Sequence, residues 1–421
     1  MVKRLWFAAL LMPAPAAIAA PPVVPTDHKL VIISIDGLDA RFFHEADRLH
    51  LKIPTLRKLA ATGVWADVVG MVPTETWPSH AVIVTGVPPG QNGVLSNEKS
   101  GKPGGRYWFE NELKVPAIWR AASEKGLRTA AIYWPTTVGA HIDFNCPEYG
   151  EGGPEQEIQF DQVAGRCTPG LIDKITTWDN SFIAPLWDDR VCLDVLRYLL
   201  SSEKPDLTLV HLAELDAEQH ETGAMSVYSR KVLENDDELI GAALLKLPAG
   251  TVVAIVSDHG FDSLNYVLRP RVMLKGTGLA DMVFVRHGLI GTTSMKAATL
   301  LRKSVGVKRS GISREVPIAE VHRLAPDLRG WVAAFDSTSG YIPTEEVNGV
   351  AISAGNRKGV HGLWPTHDSS RAVFILSGPG VRRAVLRDIS ILDEAPTFAD
   401  ILGVNLGKLR GVSLWKRAAL P

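Results

Sequence analysis

Cysteine is scarce in this sequence: Cys146, Cys167 and Cys192 are the only three among 421 residues. Their spacing matches neither a zinc ribbon nor a CxxC redox pair, which sets aside thiol chemistry and a cysteine-built metal site. Three thiols allow one disulfide, and a Cys146 to Cys167 bridge would close the Gly-, Pro- and Glu-rich loop between them. Charge of one sign is also lacking. Forty-five Lys plus Arg against 46 Asp plus Glu leave a net charge of -1, which excludes a general electrostatic grip on a nucleic-acid polymer while allowing a small anion held locally. No apolar run is long enough to cross about 30 Å of hydrocarbon, so no membrane span is expected. Internal repeats and low-complexity linkers are missing as well. With 46% hydrophobic and 22% charged residues, disordered, collagenous and multi-span classes fall away.

What is present begins with an export signal over residues 1–20. Lys3 and Arg4 precede an apolar stretch from Leu5 to Met12, and small residues run to Ala19 and Ala20. Pro13 and Pro15 break the stretch, so the expectation is a cleaved leader and an exported protein, periplasmic or secreted. The remainder, 21–421, reads as one catalytic domain.

Short β-branched runs alternate with helix-like segments through that domain, the pattern of an α/β fold with a mostly parallel central sheet and helices on both faces. The clearest strands are Leu30 to Ile35, Thr129 to Tyr133, Leu207 to His211, Val252 to Val256 and Ala372 to Leu376. Apolar residues at helical spacing mark Pro116 to Lys125, Val191 to Leu200, Val227 to Leu247 and Ile391 to Leu402, the last stopped by Gly403. The rhythm loosens at about 265–355, which predicts a cap subdomain inserted into a discontinuous core.

Chemistry is concentrated where the strands end, the place where open α/β sheets bind ligands. Leu30 to Ile35 delivers Asp36-Gly37, and Val252 to Val256 delivers Asp258-His259-Gly260. Leu207 to His211 leads to Asp216 and His220, four apart and able to face one ion from a single helical turn. His361-Gly362 lies just before the strand at Ala372, and His367 is the spare candidate six residues on. A lone Asp after a strand usually caps a helix, but together these residues form the mixed carboxylate and imidazole set that zinc accepts. Two such ions about 4 Å apart suit phosphoryl chemistry. Thr76 precedes the apolar segment Ala81 to Thr85, where it either caps the helix or serves as a nucleophile among free backbone N–H groups.

The ordered set Ile33-Ser34-Ile35-Asp36-Gly37, Thr76-Trp77-Pro78-Ser79-His80, Thr85-Gly86, Asp216 with His220, Ser257-Asp258-His259-Gly260 and His361-Gly362 resembles the nucleotide pyrophosphatase/phosphodiesterase family of the alkaline phosphatase superfamily. The resemblance runs from about Lys29 to Leu414. It implies two Zn2+ ions, one on Asp36, Asp258 and His259 beside the nucleophile Thr76, the other on Asp216, His220 and His361. It also implies that Asn97 hydrogen-bonds a non-bridging phosphoryl oxygen, and that the substrate is a small phosphodiester or nucleotide. Trp77 and Ser79 stand where the family usually has Phe and Asn. Trp77 keeps an aromatic face for a base or an apolar leaving group.

Rival readings share the metal set. Threonine-type phosphate monoesterases of the superfamily carry a Lys-x-Arg pair, whereas Ile132-Tyr133-Trp134-Pro135-Thr136-Thr137 offers no cation. A monoester carries about one more negative charge than a diester, so a diesterase is favoured unless Arg106 or Arg128 reaches in from elsewhere. A phosphonate hydrolase and a non-catalytic exported binding protein complete the alternatives.

Overall fold

The structure, a computed structural model, describes residues 28–100, 105–150, 160–180 and 188–415; the expected export signal lies outside them. Eight strands form the central sheet: β1 Lys29–Ile35, β2 Val64–Val69, β3 Thr129–Ile132, β4 Phe144–Cys146, β5 Leu207–Leu212, β6 Thr251–Val256, β7 Ala372–Ser377 and β8 Ala384–Ser390. Their spatial order is β8-β2-β7-β6-β1-β5-β3-β4. Only β7 runs against its two neighbours, β2 and β6; the other pairings are parallel. The sheet is therefore mostly parallel, as the strand and helix alternation predicts.

The strands read as continuous apolar runs because both faces are covered. Along β1, Val31, Ile33 and Ile35 pack into one core, while Leu30 and Ile32 pack into the core on the opposite face. β6 divides in the same way, Val253 and Ile255 against Val252, Ala254 and Val256. Truncating such a side chain to Ala costs roughly 2–5 kcal/mol.

The helices used below are α1 Pro54–Thr62, α2 Thr76–Thr85, α3 Ile118–Glu124, α4 Asp189–Tyr198, α5 Glu214–Thr222, α6 Val227–Leu244 and α7 Glu394–Leu402. Every residue of α2 is buried, which suits its near-absence of charge. α7 ends at Gly403 with φ 62°, a left-handed stop that favours glycine. At the sheet's β4 edge the Cys146 to Cys167 disulfide is formed, and Cys192 is buried outside it.

Between β6 and β7 the chain builds smaller sheets. One is four-stranded and antiparallel, ordered Ile312–Val316, Ala333–Ser337, Leu289–Thr292, Val283–Arg286; another joins Tyr341–Pro343, Tyr266–Leu268 and Ile352–Ala354. The short pair Asp262–Ser263 and Gly359–Val360 ties the excursion together next to the central sheet. Leu268, Ile290, Leu301 and Phe335 give this region a core of its own.

Candidate metal centre and nucleophile

Three neighbouring strands, β6, β1 and β5, bring their carboxyl ends to one place. Ser34 on β1 pairs with Val256 on β6, so Asp36 and Asp258, each two residues further on, leave the sheet side by side. The Asp36 N–H still donates to Leu212 O of β5 at 2.9 Å, and α5 then carries Asp216 back to the same spot. The turn after β1 requires a residue with positive φ. Gly37 has φ 68°, its N–H donates to Asp258 Oδ1 at 3.1 Å, and an added Cβ would sit 3.0 Å from the Phe261 ring.

Ligand-type atoms gather in two groups, Asp36 with Asp258 and His259, and Asp216 with His259 and His361, each drawn together within 4.8 Å. His259 belongs to both. Its Nε2 lies 3.2 Å from Asp258 Oδ2, 3.4 Å from Asp36 Oδ1 and 3.9 Å from Asp216 Oδ1. Those three oxygens are buried and have no hydrogen-bond partner among the described residues. His220 stands beside the second group, Nε2 3.4 Å from Asp216 Oδ2 and its ring centroid 5.0 Å from that of His361. His367 is elsewhere, 4.0 Å from Asp336 and bonded to Ser369.

The imidazoles are set up as ligands by what their other nitrogen does. Nδ1 of His259 faces Gly260 O at 3.2 Å, Nδ1 of His220 faces Gly359 O at 3.2 Å, and Nδ1 of His361 faces Thr74 O at 3.4 Å. A carbonyl only accepts, so each Nδ1 donates there, and each Nε2 is the nitrogen left to face the ligand group. Burial, then His259 and His220, pushes the His361 imidazole well below its usual range, so it is neutral. Burial, then Asp258 and Asp216, pushes the Asp36 carboxyl well up. Crowded buried carboxylates with orphaned oxygens beside imidazole nitrogens are a donor set that fits divalent cations, and zinc in particular.

Thr76 opens α2. Glu75, not Thr76, is the N-cap residue, and the Thr76 hydroxyl lies 3.5 Å from His259 Nε2. Asn97 is fixed beside it from both ends: its N–H donates to Glu75 Oε2 at 2.8 Å, and its Oδ1 accepts the Trp77 N–H at 3.0 Å. The Asn97 amide nitrogen is therefore the end left to donate elsewhere. Trp77 is 5% exposed, with Trp108 edge-on at 5.5 Å between centroids. Ser79 is buried in the same helix.

Residues with no assigned role in the sequence support these groups. His211, the penultimate residue of the mostly apolar β5, approaches Asp36 Oδ2 at 3.1 Å with Nε2 and Tyr133 O at 3.2 Å with Nδ1, and Glu148 lies 3.6 Å away. Burial opposes its charge, but the hydrogen bond to Asp36 and the nearby Glu148 carboxylate outweigh burial and push its pKa well up. His80 donates from Nδ1 to Thr76 O at 2.9 Å and meets Ser34 Oγ at 2.9 Å. Burial and then His211 lower its pKa to about 3, so it is a neutral strut between α2 and β1. A lone imidazole inside an apolar strand was the signal available for His211.

A cleft of about 930 Å³ is lined by Val72, Pro73 and Leu95 of the core and by His287, Leu324 and Asp327 of the inserted region.

Comparison with known proteins agrees with the fold and the family resemblance. The family model described as type I phosphodiesterase / nucleotide pyrophosphatase matches residues 30–323. Ectonucleotide pyrophosphatase/phosphodiesterase family member 1 of Homo sapiens is 22% identical over 93% of this chain and 40% of its own length. A venom phosphodiesterase of Naja atra is 24% identical over 56% of this chain and 26% of its own length. The chain thus spans less than half of these curated relatives. Among solved structures, murine ectonucleotide pyrophosphatase/phosphodiesterase 5, as an inactive threonine-to-alanine variant in complex with AMP, superposes with TM-score 0.58 at 16% identity, covering 93% of this chain and 99% of that one. Among the described residues, no helix is long and apolar enough to cross a membrane.

Proposed function

The chain belongs to the type I phosphodiesterase / nucleotide pyrophosphatase family, and from that premise we propose that it is an exported zinc-dependent hydrolase of small phosphodiesters or nucleotide phosphoanhydrides, acting through a phosphothreonine on Thr76. One observation carries this reading. The Thr76 hydroxyl and the three orphaned carboxylate oxygens of Asp36, Asp216 and Asp258 all face the same nitrogen of His259.

Asp36, Asp258 and His259 would hold one zinc ion, and Asp216, His220 and His361 a second. When bound, such ions supply Lewis-acid charge that lowers a hydroxyl pKa and stabilises oxygens in a displacement at phosphorus. The protein's own part is positioning. Thr76 is presented at the first turn of α2, where the positive end of the helix dipole favours an anion. Its oxygen attacks phosphorus in line, the bond to the leaving oxygen breaks, and water then cleaves the Thr76 phosphoester. Asn97, pinned by Glu75 and Trp77, donates its amide hydrogens to a non-bridging oxygen. Trp77 walls the substrate side of the nucleophile. His211 keeps Asp36 turned toward His259, the kind of support that outer residues give metal ligands.

Export to the periplasm or beyond accords with the disulfide, which persists in oxidising compartments. The AMP bound by the murine neighbour makes a nucleotide the first substrate to try. The test is Thr76→Ala assayed with p-nitrophenyl thymidine 5'-monophosphate, alongside metal analysis. Turnover should vanish while about two zinc ions per chain remain; substantial residual kcat would overturn the nucleophile assignment.

A further inference from the structure

The sequence left open whether a cation reaches the phosphoryl site from outside the motif segments, naming Arg106 and Arg128. Arg128 does not. It precedes β3, at the end of the sheet opposite the site, pairs with Glu203 at 3.0 Å and stands over the Phe144 ring. Arg106 is placed quite differently. Its guanidinium carbon lies 4.4 Å from the centroid of the Trp77 ring, and Trp77 is the residue immediately after Thr76.

Trp77 also meets Trp108 edge-on at 5.5 Å, so the guanidinium sits on an aromatic wall next to the Thr76 segment. Among the described residues it makes no ion pair and no side-chain hydrogen bond. A second donor is unused at the same place: Trp77 Nε1 is buried with no acceptor among the described residues.

An arginine held against an aromatic ring keeps its N–H fork available for oxyanions. We propose that Arg106, carried on Trp77, is a specificity-determining residue that recognises a negative charge additional to that of a simple diester. That charge is either the second charge of a phosphate monoester or a phosphate next to the scissile one in a phosphoanhydride. The proposal rests on the active site described above and supplies, from a different segment, the cation missing at Ile132 to Thr137.

The experiment compares kcat/KM of the zinc-loaded full chain, Arg106→Gln and Arg106→Lys on three substrates: p-nitrophenyl thymidine 5'-monophosphate, p-nitrophenyl phosphate and ATP. Arg106→Gln should lose about 10- to 100-fold more on one or both of the extra-charged substrates than on the diester, mainly in KM. Arg106→Lys should recover part of that loss. A selective loss on p-nitrophenyl phosphate assigns the contact to the scissile group, and one on ATP assigns it to the neighbouring phosphate. Equal losses on all three substrates, or none, would overturn the proposal. Zinc content and thermal unfolding of both variants should match wild type. Thr76→Ala, which should abolish all three activities, separates failure of the catalytic reading from failure of this one, because Arg106 alters only the ratio between substrates.

Discussion

The Thr76 hydroxyl lies 3.5 Å from Nε2 of His259, although 183 positions separate the two residues in sequence. That nitrogen also faces Asp36, Asp258 and Asp216 at 3.2 to 3.9 Å. The proposed nucleophile, both candidate ligand groups and the sheet's carboxyl end are thereby tied to one atom, and the consequences of removing individual side chains can be ranked.

His259 contributes to both ligand groups, whereas His220 stands beside only the second. The one free lone pair of His259 Nε2 can bind only one ion, so in the assignment above His259 belongs to the zinc of Asp36 and Asp258, and His220 to the zinc of Asp216 and His361. His259→Ala and His220→Ala should each retain about one zinc ion, and the double variant almost none. Metal analysis after dialysis against a weak chelator reads this directly; two zinc ions retained in either single variant would contradict the assignment.

Asn97 has its carbonyl end occupied by the Trp77 N–H, leaving the amide end for substrate. Asn97→Ala should lower kcat by about 10²- to 10³-fold, the usual cost of one preorganised oxyanion donor, with zinc content unchanged. A change confined to KM would instead make Asn97 a ground-state binding residue.

Much of this centre was legible from local sequence, because a β-branched run followed by Asp-Gly or Asp-His-Gly already says which residues stand at a strand's carboxyl end. Asp36, Asp258 and His259 come from such tips. The sharing of His259 was not legible, since it depends on side chains from β1, β6 and α5 meeting in space. Nor was the reversal of β7: period-two patterning identifies a strand but not its direction. β8 escaped notice because, as an edge strand, it exposes charged residues such as Arg387 and Asp388, and β2 because Asp67 interrupts its apolar run. Arg106 lies in a segment without periodicity, and only its placement over Trp77 gives it meaning.

Away from the metal centre, Asp236 on α6 is fully buried, and neither carboxylate oxygen has a hydrogen-bond partner among the described residues. Burial first, then Asp189 and Glu214, pushes its carboxyl well up; burial and Glu214 likewise raise Asp189 to about 7. The folded protein thus holds protons that the unfolded chain releases above about pH 4. Stability is fully present below that pH and falls as pH rises toward the folded values. Asp236→Asn should therefore gain stability relative to wild type as pH increases from 5 to 8. Urea unfolding of both zinc-loaded proteins at these pH values checks it; a difference independent of pH would show that Asp236 is already ionised in the fold.

The Cys146 to Cys167 bridge closes a segment with a sequence separation of 21. Replacing both cysteines with Ala should lower unfolding free energy by about 3 kcal/mol, read by urea unfolding of the zinc-loaded protein. A loss of activity at unchanged stability would mean that the β4 edge shapes the site.

Covalent catalysis by Thr76 is most directly tested by acid-quenching the zinc-loaded enzyme during turnover of a phosphodiester and mapping phosphate by mass spectrometry. Phosphate should appear on Thr76 within the first turnover and decay when substrate is exhausted. Turnover with no phosphate on Thr76 at any quench time, under conditions where a phosphothreonine survives, would contradict the account.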